Sequence, residues 1–171
     1  MNKKLIGIIA ISAIALTACG GSKTASSSSS TSTATDAASA PAATGGFGSA
    51  LDLGAGVSLT LSAPVTFTPG HFATNYLAGQ VANTFDVTVK NGGSAALDPS
   101  TILIQTGSGA NTCTDVLDGD NGIAGAPTDP IAAGTSISFK FAIACSAKSG
   151  EPLHVSVSVG GGSASIDGKL A

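Results

Sequence analysis

From Val57 onward the chain alternates apolar and polar residues with a period of two. Val57, Leu59 and Leu61 interleave with Ser58, Thr60 and Ser62, and Phe85, Val87 and Val89 with Asp86, Thr88 and Lys90. Two longer runs follow. Ile137, Phe139, Phe141, Ile143 and Cys145 alternate with Ser138, Lys140, Ala142 and Ala144; Leu153, Val155, Val157 and Val159 alternate with His154, Ser156 and Ser158. Successive side chains of a strand point to opposite faces, so these runs predict half-buried strands, apolar inward and polar outward. "TILIQT" (101–106) reads as a more fully buried strand, and shorter ones are expected at 112–117 and 165–170, about seven in all. Turn signals separate them: Pro69-Gly70, Asn91-Gly92-Gly93, Asp98-Pro99, Gly119 to Gly122, Gly134 and Gly160 to Gly162. No segment keeps a helical period over three turns. The pattern predicts an all-β fold, an antiparallel sandwich or small barrel. There is no tryptophan, and the one tyrosine, Tyr76, falls in an expected loop. The tryptophan-on-disulfide core and tyrosine corner of antibody domains are therefore absent, and the expected β-sandwich is immunoglobulin-like in architecture only.

The first fifty residues follow another pattern. Lys3 and Lys4 precede an apolar run from Leu5 to Leu16, the order of a secretory signal peptide. That run is about a dozen residues, short of the ~20 that span a bilayer as a helix. From Gly20 to Ala50 the chain is mostly Ser, Thr, Ala and Gly, with Lys23 and Asp36 as its only charges. Such a segment buries too little to offset its ordering entropy, so a disordered tether is expected. About 30 residues of it would reach roughly 30 Å on average. The expected organisation is a signal peptide at 1–18, a tether at 19–50 and one domain at 51–171, long enough for one core and too short for two.

Charge narrows the partners. The chain carries −3 and contains no arginine; removing residues 1–18 with Lys3 and Lys4 takes it to −5. An acidic, arginine-free surface lacks the cationic footprint that nucleic acid and anionic lipid require, so no nucleic-acid partner is expected.

The three cysteines, Cys19, Cys113 and Cys145, are an odd number for an exported chain. Leu16-Thr17-Ala18-Cys19 resembles the lipobox of bacterial lipoproteins. In that family a diacylglycerol is transferred to the cysteine sulfur, and the signal peptidase then cuts before that residue. The resemblance implies a palmitate-type lipid on Cys19 and a domain held at the outer face of the cytoplasmic membrane. The alternative is an ordinary signal peptide with a chance cysteine. With Cys19 consumed, Cys113 and Cys145 remain as a pair, expected as a disulfide with Cys113 placed on a strand or turn over the inward face of Cys145. The competing reading of those two cysteines as metal ligands lacks a nearby histidine.

"FDVTVKNGGSAALDPS" (85–100) and "PIAAGTSISFKFAIAC" (130–145) add a second resemblance. Val89-Lys90-Asn91-Gly92-Gly93 and Pro130-Ile131-Ala132-Ala133-Gly134 match the turns of immunoglobulin-like extracytoplasmic domains in Gram-positive, notably actinobacterial, lipoproteins. Those domains are similar in fold to a secreted mycobacterial immunoprotective antigen. The resemblance implies a fold; it carries no catalytic residues.

Candidate chemistry is sparse. His71 follows the Pro69-Gly70 turn, His154 falls on an outward strand position, and no G-x-S-x-G elbow is present, so no enzyme is expected. Without Met1 the chain has no methionine, which removes the usual soft ligands for copper. The best binding constellation lies in "CTDVLDGDNGIAGAPTDP" (113–130), where Asp115, Asp118, Asp120, Asn121 and Asp129 are candidate ligands for a Ca2+ cofactor. Counted from Asp118, EF-hand positions 3 and 12 are aspartates, but position 5 is Gly122 and position 6 is Ile123 where glycine is required. The competing reading is a solvated acidic loop. The functional expectation is a lipid-anchored surface module that binds a protein, glycan or cell-wall component. A structural envelope lipoprotein without a small ligand is the alternative, and a calcium-binding surface domain a more distant one.

Overall fold

The computed structural model describes residues 41–171. Its strands are β1 (Ala43–Gly46), β2 (Ala50–Gly54), β3 (Val57–Leu61), β4 (Val65–Thr66), β5 (Val81–Asn91), β6 (Leu103–Ser108), β7 (Asn111–Thr112), β8 (Thr114–Val116), β9 (Ser136–Cys145), β10 (Pro152–Val159) and β11 (Gly162–Lys169). One sheet has the order β1-β11-β10-β6-β7; the other runs β2-β3-β5-β9-β8, with β4 also paired to β5. The expected all-β, immunoglobulin-like sandwich is the fold observed, with 3-10 turns at Pro99–Thr101 and Gly119–Asn121 and no α-helix among the described residues.

The period-two runs account for the core. Leu59, Leu61, Phe85, Val87, Val89, Ile143 and Cys145 project from one sheet onto Leu153, Val155, Val157, Ala164 and Ile166 of the other, all fully or nearly fully buried. Phe85 packs against Phe141 at 5.6 Å between ring centroids and against Phe47 at 6.1 Å. Phe47 comes from the link between β1 and β2, where the chain leaves one sheet for the other.

The structure corrects four expectations. First, strands begin at Ala43, so the folded unit takes in part of the stretch assigned to the tether; its remainder, 19–40, and the leader, 1–18, lie outside the described residues. β1 pairs in parallel with β11, from Ala43↔Ala164 to Gly46↔Asp167. This pairing needs backbone groups and no apolar side chains, which is why an Ala-Thr-Gly-Gly stretch can supply it. Second, eleven strands replace about seven, because β1, β2 and β4 are added and the expected 112–117 strand is split at Cys113.

Third, the "TILIQT" strand begins two residues later than expected and is less buried: Leu103 is exposed and Ile104 half-buried. Asp98 caps a 3-10 turn by accepting the Ser100 amide at 2.9 Å, which delays the strand. β6 then meets β7 only at Gly107 and Ser108, leaving its earlier edge uncovered. Fourth, Ala142 and Ala144, expected on an outward face, are buried. With Val116 and Ile123 they form a second small core, covered by Phe67, Ala73 and Tyr76. The 67–80 loop between β4 and β5 thus covers part of the outer face of its sheet.

The expected Cys113–Cys145 disulfide is present, with Cys113 between β7 and β8 and packed with Cys145 in the main core. The Cys113 amide donates to Thr106 of β6 at 3.0 Å, while the next residue, Thr114, pairs with Ala144 of β9 in the other sheet. The disulfide pins the chain where it crosses between sheets.

Candidate functional site

Among the described residues polar side chains gather outside the core in several places, and two of these hold candidate residues from the sequence. One is a groove of about 960 Å³ beside the Cys113 crossing. β6 supplies Ile104 to Gly107, β7 and β8 supply Thr112 to Asp115, β10 supplies His154 and Ser156, and the covering loop supplies Asn75. Backbone geometry explains why it is open. Thr106 O faces away from β10 to accept from Cys113, so the N–H and C=O of Ile104, two residues earlier, face the same way. β7 does not reach that far, so these groups form an unpaired stretch of sheet edge along the groove wall.

Asn75 holds the opposite wall. Its backbone lies in the left-handed region (φ 59°), a conformation asparagine tolerates better than most residues. Its Nδ2 donates to Asp115 O at 3.1 Å, and its carbonyl accepts from Thr114 Oγ1 at 3.0 Å, fastening the loop to β8. Burial pushes the Asp115 carboxyl up from its usual range. His154 Nδ1 lies 2.8 Å from Asp167 Oδ1 across the β10–β11 pair, both side chains exposed. Among the described residues no hydrogen bond joins the other ring nitrogen of His154 to a hydroxyl. His71 is exposed and sets its ring edge against Phe72, 4.9 Å away.

The second place is the acidic turn. Asp118 is only 1 % exposed. Its Oδ2 accepts the Gly70 amide and Asn121 Nδ2, each at 2.7 Å; Asn121 Nδ2 also reaches Thr68 O at 3.3 Å. Chiefly the Gly70 amide, and then the Asn121 side chain, hold the Asp118 carboxyl below the usual carboxylate range. Asp120 lies beside the same glycine: a Cβ at Gly70 would stand 3.0 Å from both Asp118 Oδ1 and Asp120 Oδ2.

The five candidate calcium ligands are therefore not one set. Asp118, Asp120 and Asn121 come together against the Thr68–Gly70 segment, whereas Asp115 lines the groove and Asp129 is exposed eight residues beyond the acidic turn. Among the described residues no three His, Cys, Asp or Glu side chains gather at a metal-sized site. Linear clustering misled here because β8 directs Asp115 outward and the chain continues past the turn towards β9. Gly70 and Asn75 were missed as site residues because they lie about 40 to 50 positions away from the groups they touch; only the Pro-Gly turn signal marked the former. Leu16, Thr17, Ala18 and Cys19 lie outside the described residues.

No protein-family model matches the sequence, and no curated protein does. Among solved structures, the ycdA protein of Bacillus subtilis, described as a candidate lipoprotein, superposes with a TM-score of 0.57 at 13 % identity. The alignment covers 69 % of this chain and 38 % of that one, so this chain spans well under half of ycdA. An uncharacterised β-sandwich protein of Clostridium difficile 630 aligns over 74 % of this chain and 94 % of its own, with a TM-score of 0.45 and 14 % identity. At these identities the ycdA likeness is one of fold.

Proposed function

We propose that the protein is a lipid-anchored extracytoplasmic binding module, held through Cys19 and presenting the groove between β6 and β8 to an extended ligand. The observation that carries this reading is the groove itself, where an unpaired sheet edge at Ile104 faces polar side chains from β8 and the covering loop. An extended peptide adds to such an edge through main-chain hydrogen bonds, and flanking pockets supply selectivity; a glycan could use the same hydroxyl and amide groups. Binding is favoured over catalysis because the one His–Asp pair described is exposed and engages no hydroxyl nucleophile. The lipobox-like "LTAC" (16–19), the Ser/Thr-rich stretch after it and the fold shared with ycdA support the anchored address. The resemblance of the 85–145 turns to domains of Gram-positive lipoproteins points the same way.

A second reading, an accessory lipoprotein docking on an envelope protein, is favoured by Phe72 and Leu77. These lie 81 % and 70 % exposed on the covering loop.

Two measurements test the proposal. Cys19→Ser should abolish labelling with a palmitate analogue and release the protein from the membrane fraction; retention of both refutes the anchor. A photo-crosslinker placed at Gln105 on intact cells should capture a discrete envelope component, and the same probe at Phe72 should not. Capture only from Phe72 would favour the accessory reading, and capture from neither would refute the groove.

A further inference from the structure

We infer that Asp118 and Asp120, closed over by the Thr68–Gly70 segment, form a binding site for a hard divalent cation of the calcium type. This is independent of the groove and of the lipid anchor. Three observations converge on it. Asp118 is buried and its Oδ1 completes no hydrogen bond among the described residues, the Asp120 and Asn121 amides only approaching the carboxylate, whereas Oδ2 accepts two. A buried carboxylate oxygen without a partner is costly, and a cation is one of the few groups that can offset it. Asp118 Oδ1 and Asp120 Oδ2 also converge on one point beside Gly70, where any side chain would fill the space between them. Finally, neither carboxylate has a cationic side chain against it: the one ion pair among the described residues is His154–Asp167, on the opposite sheet.

The hydrogen bonds from the Gly70 amide and Asn121 Nδ2 both fall on Oδ2, which fixes the carboxylate and leaves Oδ1 on the side of Asp120. Oxygen-only donors with two carboxylates suit calcium, which accepts irregular geometry and completes its ~6–8 ligands with water. Asn121 is a positioning residue: its amide braces Asp118 Oδ2 against Thr68 O and leaves Oδ1 for the ion. Asp118 and Asp120 occupy the first and third positions of an EF-hand-like order, and the Thr68–Gly70 segment closes the site where the local sequence stops matching. Two protein carboxylates imply weak binding, in the ~10⁻⁴–10⁻³ M range of extracellular modules. A bound ion would clamp the acidic turn to the loop that carries Phe72 and Leu77.

The test uses the purified full chain, stripped with a chelator and titrated with calcium chloride in a calorimeter and in thermal melts at fixed ionic strength. The expected results are a saturable heat and a melting temperature raised by roughly 5 °C at about 10 mM calcium. Asp120→Asn and Gly70→Ala should each abolish both responses, and Asp129→Asn should keep them. Asp118→Asn should also abolish them; should it fail to fold, the exposed Asp120→Asn still decides the matter. Absence of heat and shift in the unaltered protein overturns the site. A response undiminished in Asp120→Asn and Gly70→Ala overturns it equally, since that would be non-specific screening.

Discussion

Replacing Asn91 tests the reasoning about buried polar groups most directly. Asn91 ends β5 and is 2 % exposed. Its Nδ2 donates to Ala95 O at 2.8 Å and Ile131 O at 2.9 Å, and its Oδ1 accepts the Gly93 amide at 3.1 Å. Its backbone N–H reaches Thr135 O, and its carbonyl accepts from Gly134. One residue thus joins the Asn91-Gly92-Gly93 turn to the Pro130–Gly134 turn, the two turn motifs prominent in the sequence. Asn91→Ala removes three side-chain hydrogen bonds worth ~0.5–1.5 kcal/mol each and strands buried partners, so the expected loss is about 2–4 kcal/mol. For a domain of this size that lowers the melting temperature by roughly 10 °C. Asn91→Asp should be worse at neutral pH, because a carboxylate oxygen would then face two carbonyl oxygens. Burial and those acceptors raise its folded pKa, so its penalty should shrink as pH falls through the carboxylate range. Urea denaturation followed by far-ultraviolet circular dichroism suits a chain without tryptophan. An Asn91→Ala loss below about 1 kcal/mol, or an Asn91→Asp protein as stable as the parent at pH 7, would refute this account.

Three other outcomes are expected. Replacing both Cys113 and Cys145 with alanine opens a loop whose ends are 32 residues apart, and should cost roughly 3–4 kcal/mol in denaturant melts, a loss that reducing agent reproduces in the parent. Asp98 and Asp118 are held below the usual range by backbone amides, of Ser100 and Gly70 respectively. Their stabilisation is complete above the ordinary carboxylate range and is lost as pH falls through their lower folded values. Thermal midpoints should therefore drop below about pH 4, less steeply in Asp98→Asn, while the raised Asp115 contributes with the opposite sign. Gly162→Ala would drive a Cβ into the Leu53 carbonyl of the facing sheet, so β11 and β2 must part; a loss of about 2 kcal/mol or more is expected, and a neutral outcome in the same melts would contradict that contact.

The strands most legible in the sequence are those whose two faces meet different surroundings. β3, β5, β9 and β10 each bury one face in the main core, and a period of two follows from that alone. β1 carries no such mark, because a short edge strand held through its backbone asks little of its side chains. The 67–80 cover left a faint trace that was readable in retrospect: Ala142 and Ala144 stand where β9 otherwise places Ser138 and Lys140. The acidic turn was legible as chemistry but not as geometry. Composition showed five oxygen-bearing side chains, and only folding separates Asp118 and Asp120 from Asp115 and Asp129 by bringing Gly70 across 48 residues. The groove was invisible for a related reason. It depends on where β7 stops pairing with β6, which is a fact of register and not of residue type.

The parallel pairing of β1 with β11 has a mechanical side. Under the proposed N-terminal anchoring, a load on the chain would reach β1 first among the described strands. Pulled lengthwise past β11, its four paired positions from Ala43↔Ala164 to Gly46↔Asp167 carry the load together, in shear, and do not peel apart one after another. A short edge strand that looks dispensable by burial thus becomes the grip through which a tethered sandwich would withstand drag on whatever it holds.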